Sequence, residues 1–144
     1  MGTYSYSSAF SSKSNILVVD DDESIRIMLG MLLSDDGYSV SVAGNADAAA
    51  TLLEQVSFDV AIIDRVLSEG EDGLSVIRRL KQRQPSCEVI LVTGYPTYQS
   101  AVESIDLQVT AYLEKPVRIS VLRDVVGRAV VKGTLPQKSV PLNA

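Results

Sequence analysis

Three consecutive aspartates, Asp20, Asp21 and Asp22, follow a four-residue apolar run at 16–19. Carboxylates this close repel one another and raise the pKa of at least one member. A solvated loop, a helix start or a divalent cation makes such a cluster tolerable. Three more groups stand in the same position relative to apolar runs. Asp64 closes the run at 60–63, Thr93 the run at 89–92, and Lys115, followed by Pro116, comes just after 111–113. Singly, each has an ordinary explanation as a helix cap, a turn residue or a surface charge. Four such places on one edge of one sheet would be much harder to explain that way.

The elements between them decide whether they share an edge. Ile25, Met28, Leu29, Leu32 and Leu33 recur at helical spacing over 24–36, and Gly37 is placed to end that helix. Tyr38, Val40 and Val42 alternate with serines as in a half-exposed strand. Asn45 is placed to cap a helix with Ala48, Ala49, Leu52, Leu53 and Val56 on one stripe. Strands at 60–63, 89–92 and 111–113 then alternate with helices at 74–81, 98–107 and 119–131. Leu122, Val125, Val126, Ala129 and Val130 form the inward face of the last helix, whose valines and Gly127 make it a weak helix former that packing must hold. Five strands alternating with five helices predict an α/β fold: a doubly wound, five-stranded parallel sheet in a three-layer αβα arrangement of the flavodoxin-like type. Uninterrupted apolar strands fit a sheet covered on both faces. In such sheets ligands bind beyond the carboxyl ends of the strands, where the candidate residues lie.

A chain of 144 residues with 46% hydrophobic content suits one domain. Residues 1–13, rich in Ser and Tyr, read as a disordered lead-in, 14–132 as the domain, and 133–144 as a tail or truncated linker. No apolar run approaches the ~20 residues of a membrane span, and the start lacks the pattern of a signal peptide. A cytoplasmic protein without membrane partners is expected. The net charge of −5 and dispersed basic residues argue against direct nucleic-acid binding. Histidine is absent, which excludes histidine-based catalysis and a phosphohistidine donor role. The single cysteine, Cys87, offers no metal-site spacing and is expected to be reduced and semi-buried in a strand.

The segments VVDDDES, VAIID, LVTGY and YLEKP resemble the receiver domains of response regulators in two-component signalling, over roughly residues 14–132. The resemblance implies that Asp64 is the phosphoacceptor, taking a phosphoryl group from a sensor histidine kinase or phosphotransfer protein. It implies that Asp20, Asp21, Asp64 and the Val66 backbone carbonyl hold Mg²⁺ (or Mn²⁺). Thr93 would donate to a phosphoryl oxygen and Lys115 would pair with the phosphoryl group. Tyr112 would be the aromatic switch, and the Lys115–Pro116 bond would be cis. Phosphorylation would change contacts with a downstream effector, or with a second copy as a homodimer, through the face of the fourth helix, fifth strand and fifth helix. Val121 and Val131, off the inward stripe, are available there. The chemistry is consistent: Mg²⁺ favours a few carboxylate and carbonyl oxygens, and phosphoryl transfer needs chiefly positioning and charge neutralisation. Asp22 is expected at the first helix start rather than on the metal.

The segment DRVLSEGEDG, residues 64–73, departs from the family pattern by lacking a proline and being one residue longer. A more mobile or re-aimed loop around Val66 is therefore expected. Val66 is apolar and Tyr95 bulky, so neither orients an attacking water well, and slow self-dephosphorylation is expected without other enzymatic activity. Two alternatives remain. A haloacid-dehalogenase-like phosphohydrolase would use Asp20 as nucleophile and Asp22 as acid/base, yet no later strand ends in an acidic pair. A non-phosphorylated pseudo-receiver would have lost a charged site residue, and none is missing.

Overall fold

The computed structural model describes residues 13–134. Its elements run β1 (Asn15–Val19), α1 (Glu23–Asp35), β2 (Ser39–Ala43), α2 (Ala46–Gln55), β3 (Val60–Asp64), α3 (Gly73–Arg83), β4 (Glu88–Thr93), α4 (Tyr98–Asp106), β5 (Ala111–Glu114) and α5 (Ile119–Thr134), with a short 3₁₀ turn at Ser68–Gly70. The five strands form one parallel sheet in the order β2-β1-β3-β4-β5. This is the doubly wound α/β arrangement expected from the alternation. Strand order reverses next to β1, so the crevice predicted for a ligand lies between the ends of β1 and β3.

The pleat divides the strand residues between two cores. Leu17, Val19, Ala61, Ile63, Val89 and Leu91 pack with α2 and α3. Ile16, Val18, Val60, Ile62, Ile90 and Val92 pack with Leu29 and Leu33 of α1 and Leu122, Val126 and Ala129 of α5. Every residue of β3 is buried, which explains its unbroken apolar run. Each fully buried Leu, Ile or Val contributes about 1.5–3 kcal/mol. The valine-rich α5 is thus held by its inward stripe.

Caps fix the helix starts. Asp22 accepts from the Ser24 and Ile25 amides at the start of α1, and Asn45 from the Ala48 amide at α2. Gly37, at φ 98°, turns the chain out of α1 in the left-handed region. The Gln84 side chain donates to the Leu53 and Val56 carbonyls and accepts from the Phe58 amide, closing the corner between α2 and β3.

Some expectations need correction. Cys87 is 1% exposed and stands one residue before β4, so it is fully buried and outside the strand; burial pushes its thiol pKa up to about 12. Helix α5 continues through Thr134, past the expected helix end at 131, with Lys132 Nζ 3.4 Å from Glu88. Residues 135–144 of the expected tail (133–144), and 1–12 of the expected lead-in (1–13), lie outside the described residues. Helix α4 reverses the usual pattern: Ser100 and Ser104 are buried, while Tyr98, Val102 and Ile105 face outward. No described helix is long and apolar enough to cross a membrane.

Candidate functional site

Asp20 follows β1 directly, Asp64 is the last residue of β3, Thr93 the last of β4, and Lys115 follows β5. Parallel register brings all four to the carboxyl edge of the sheet. Asp64 pairs with Val92, the residue before Thr93, and the Lys115 amide donates to the Thr93 carbonyl at 2.8 Å. Side chains complete the convergence of three of them. Lys115 Nζ donates to Asp64 Oδ2 at 2.7 Å and to Asp20 Oδ2 at 3.3 Å. Asp20, Asp21 and Asp64 each offer a carboxylate oxygen within 4.8 Å of the others.

The backbone shapes this cluster. Asp20 Oδ1 accepts from the Asp22 amide at 2.9 Å, and Asp64 Oδ1 from the Val66 amide at 3.2 Å. Arg26 donates to the Asp20 carbonyl at 2.7 Å from beneath Gly44, where a Cβ would stand 2.8 Å from the guanidinium. Burial holds the Asp20 carboxyl above its ordinary pKa, and neighbouring Asp64 adds to this; the Asp22 amide and Lys115 act in the opposite direction. Burial alone would lower the Lys115 pKa, but its hydrogen bond to Asp64 and the charges of Asp20 and Asp64 raise it. Three carboxylates face one ammonium, leaving a net negative pocket. Hard oxygen donors at this spacing suit a hard divalent cation such as Mg²⁺ or Mn²⁺.

The loop after Asp64 is anchored rather than loose. Leu67 is buried, Val66 bridges to Asp72, and Glu71 accepts from the Ala46 amide at the start of α2. Its extra length is taken up in the 3₁₀ turn, where Glu69 and Gly70 are left-handed at φ 60° and 76°. The expected greater mobility thus meets three tethers, all supplied by this chain's own loop residues. Gly73 donates to the Arg65 carbonyl at 2.7 Å and lies so close to Asp64 that a Cβ would strike the Asp64 carbonyl oxygen.

Thr93 is fully buried and its hydroxyl accepts from the Tyr95 amide at 3.0 Å, leaving its proton for another acceptor. Tyr112 is half-buried against the α2/α3 core, with its hydroxyl 2.7 Å from Ser100 Oγ. Sequence reasoning missed Ser100, although Thr97 and Ser100 have capping-box spacing and form that box at the start of α4. The Lys115–Pro116 bond is cis. Asp22, the acid/base of the phosphohydrolase alternative, has its carboxylate engaged as the α1 cap.

Comparison with known proteins gives the family. The family model described as the response regulator receiver domain matches residues 16–127. The putative response regulator NtrX-like of Rickettsia felis is 32% identical over 134 residues, covering 92% of this chain and 28% of that protein. The chain therefore spans little more than a quarter of that relative. A receiver domain protein (CheY-like) of Methanospirillum hungatei superposes with a TM-score of 0.81 at 28% identity, covering 85% of this chain and 97% of that one. A response regulator of Burkholderia pseudomallei, solved with a phosphorylated aspartic acid, calcium ion and citrate, superposes at 0.75 with 29% identity, covering 83% and 70%. Fold, matched span and relatives agree: the chain belongs to the receiver domains of two-component response regulators, a family of signalling phosphoacceptors.

Proposed function

We propose that Asp64 is the phosphoacceptor of a signalling switch and that a sensor histidine kinase or phosphotransfer protein supplies the phosphoryl group. The observation that carries this is the convergence of Asp64, Asp20 and Lys115 through hydrogen bonds of 2.7 and 3.3 Å at one edge of the sheet. An Asp64 carboxylate oxygen attacks phosphorus and an O–P bond forms. The donor's P–N bond breaks, and the imidazole leaves with the electron pair. Lys115 balances charge on the phosphoryl oxygens, and the Thr93 hydroxyl donates to one of them. Asp20, Asp21, Asp64 and the Val66 carbonyl would hold Mg²⁺, which when bound neutralises both carboxylates and phosphoryl oxygens.

Thr93 moving to the phosphoryl group would disturb the segment between β4 and α4, and with it the contact between Ser100 and Tyr112. Tyr112 is the switch in this reading, one local charge event biasing two packings. The α4-β5-α5 face is the output surface, where Tyr98, Val102 and Ile105 of α4 and Val121 of α5 present apolar area to an effector or a second copy. The domain acts at 14–132, in a cytoplasmic setting, and catalyses only its own phosphoryl transfer and slow self-dephosphorylation.

Incubation with acetyl phosphate and Mg²⁺ followed by peptide mapping tests the assignment. Label is expected on Asp64 and absent from an Asp64→Asn variant. Label on Asp20 would instead favour the phosphohydrolase alternative.

A further inference from the structure

Beside the acidic cluster a cavity of about 460 Å³ opens between α1, α5 and the sheet. Its floor is Val18, Ile62 and Val92, and its walls include Met28 and Leu29 of α1 and Leu122 of α5. Polar groups occur at one end only, where Asp20, Asp64 and Lys115 form part of the lining. Met28 and Ile119 on the rim are 43% and 42% exposed, so the space communicates with solvent. The volume is that of a small-molecule site, and apolar walls with a few convergent charged groups are the usual composition of one.

We propose that this cavity binds a small cationic amphiphile, an aryl- or alkyl-ammonium, in competition with the divalent cation. The walls select an apolar body, and the mouth selects the sign of the head. Asp20 and Asp64 each accept one backbone amide and the Lys115 ammonium. A carboxylate has room for about four hydrogen bonds, so each retains acceptor capacity. With Asp21 alongside, carboxylates outnumber the single ammonium three to one. A ligand ammonium finds both charge and lone pairs there, whereas an anionic head meets net repulsion. The space also exceeds what one lysyl side chain would fill, which favours a free amphiphile over a partner's side chain. A bound Mg²⁺ would take the same carboxylate oxygens and neutralise the mouth, so the two ligands exclude each other. The competition rests on the receiver reading of the acidic site; binding in the cavity does not.

The test is a methyl-detected NMR titration of the full chain with phenylbutylamine, phenylbutanol and phenylbutyrate, each with and without Mg²⁺. Shifts are expected at the methyls of Val18, Met28, Leu29 and Ile62 with the amine. The alcohol and the acid should bind roughly fivefold or more weakly, and saturating Mg²⁺ should weaken the amine by a similar factor. Val117→Phe, which fills the cavity from the β5–α5 connection, should abolish the amine shifts; Met28→Trp at the rim serves if that variant does not fold. Equal affinity for the three probes, shifts confined to other regions, undiminished binding in Mg²⁺, or unchanged binding in the filled variant would each overturn the proposal. Acetyl phosphate labelling without amine keeps the two readings separate. A chain that takes no label yet shows the amine shifts loses its phosphoacceptor assignment and keeps its cavity site.

Discussion

At the carboxyl edge of the sheet, Lys115 is the cation that lets Asp20 and Asp64 stay close while largely buried. Lys115→Met leaves that pair uncompensated. With the lysine side chain 32% exposed, solvent screening reduces the penalty, and a loss of about 1–2 kcal/mol is expected without metal. Urea unfolding should show this loss, and Mg²⁺ should restore much of it. The sign of the pH dependence follows from the raised lysine pKa. Its stabilising contribution is complete below the ordinary value of 10.5 and is lost as pH rises through the higher folded value. A second residue-level expectation concerns Val66 and Tyr95, exposed by 43% and 73%. Val66 has no polar group and the Tyr95 hydroxyl sits at the far end of a bulky ring, so neither orients a water attacking the phosphoryl group well, and the phospho-aspartate should persist for minutes or longer at room temperature. Decay within seconds, followed by loss of label, would contradict this. The charged candidate residues were legible in the sequence because Asp20 and Asp64 directly follow apolar runs, Asp21 adjoins Asp20, and Lys115 comes two residues after a third run. Ser100 and Glu71 were not, since their partners, Tyr112 and the Ala46 amide, are set by tertiary packing rather than spacing.

Among the elements, the connection from β3 to α3 positions Asp64. Gly73 begins α3 against the Asp64 backbone, where a Cβ would also lie 3.0 Å from Arg65 Cα. Backbone cannot swing aside as a flexible side chain can. Gly73→Ala should therefore destabilise by about 1–3 kcal/mol and displace Asp64. Thermal unfolding together with the rate of acetyl phosphate labelling checks both effects. Strand positions were read from sequence to within one residue because β1, β3 and β4 are largely buried on both faces and are apolar except at their end residues. The 3₁₀ turn escaped notice because Ser68, Glu69 and Gly70 carry no periodicity, and only the positive φ of the last two defines it. Helix α4 was read from its place in the alternation of strands and helices, but its inverted burial was hidden. Ser100 and Ser104 satisfy their hydroxyls locally, on Thr97 and Ala101, and so tolerate the interior.

For the molecule as a whole, the α/β class followed from alternation of strand and helix, whereas the strand order required the three-dimensional arrangement. That order places Asp64 on the central β3 and Lys115 just past β5, at the sheet's outer edge. β3 is wholly buried, while β5 is half-buried to exposed. One ion pair therefore links the most protected strand to one of the least protected. In amide hydrogen exchange, β3 should open only with global unfolding, and β5 with α5 should open earlier. Beryllofluoride with Mg²⁺, a mimic of the phosphoryl group, should slow exchange selectively in β5 and α5; uniform slowing, or slowing confined to β3, would count against it. On that expectation the Lys115–Asp64 pair is a staple across a boundary between units that open separately, and tightening it changes how often the edge comes undone.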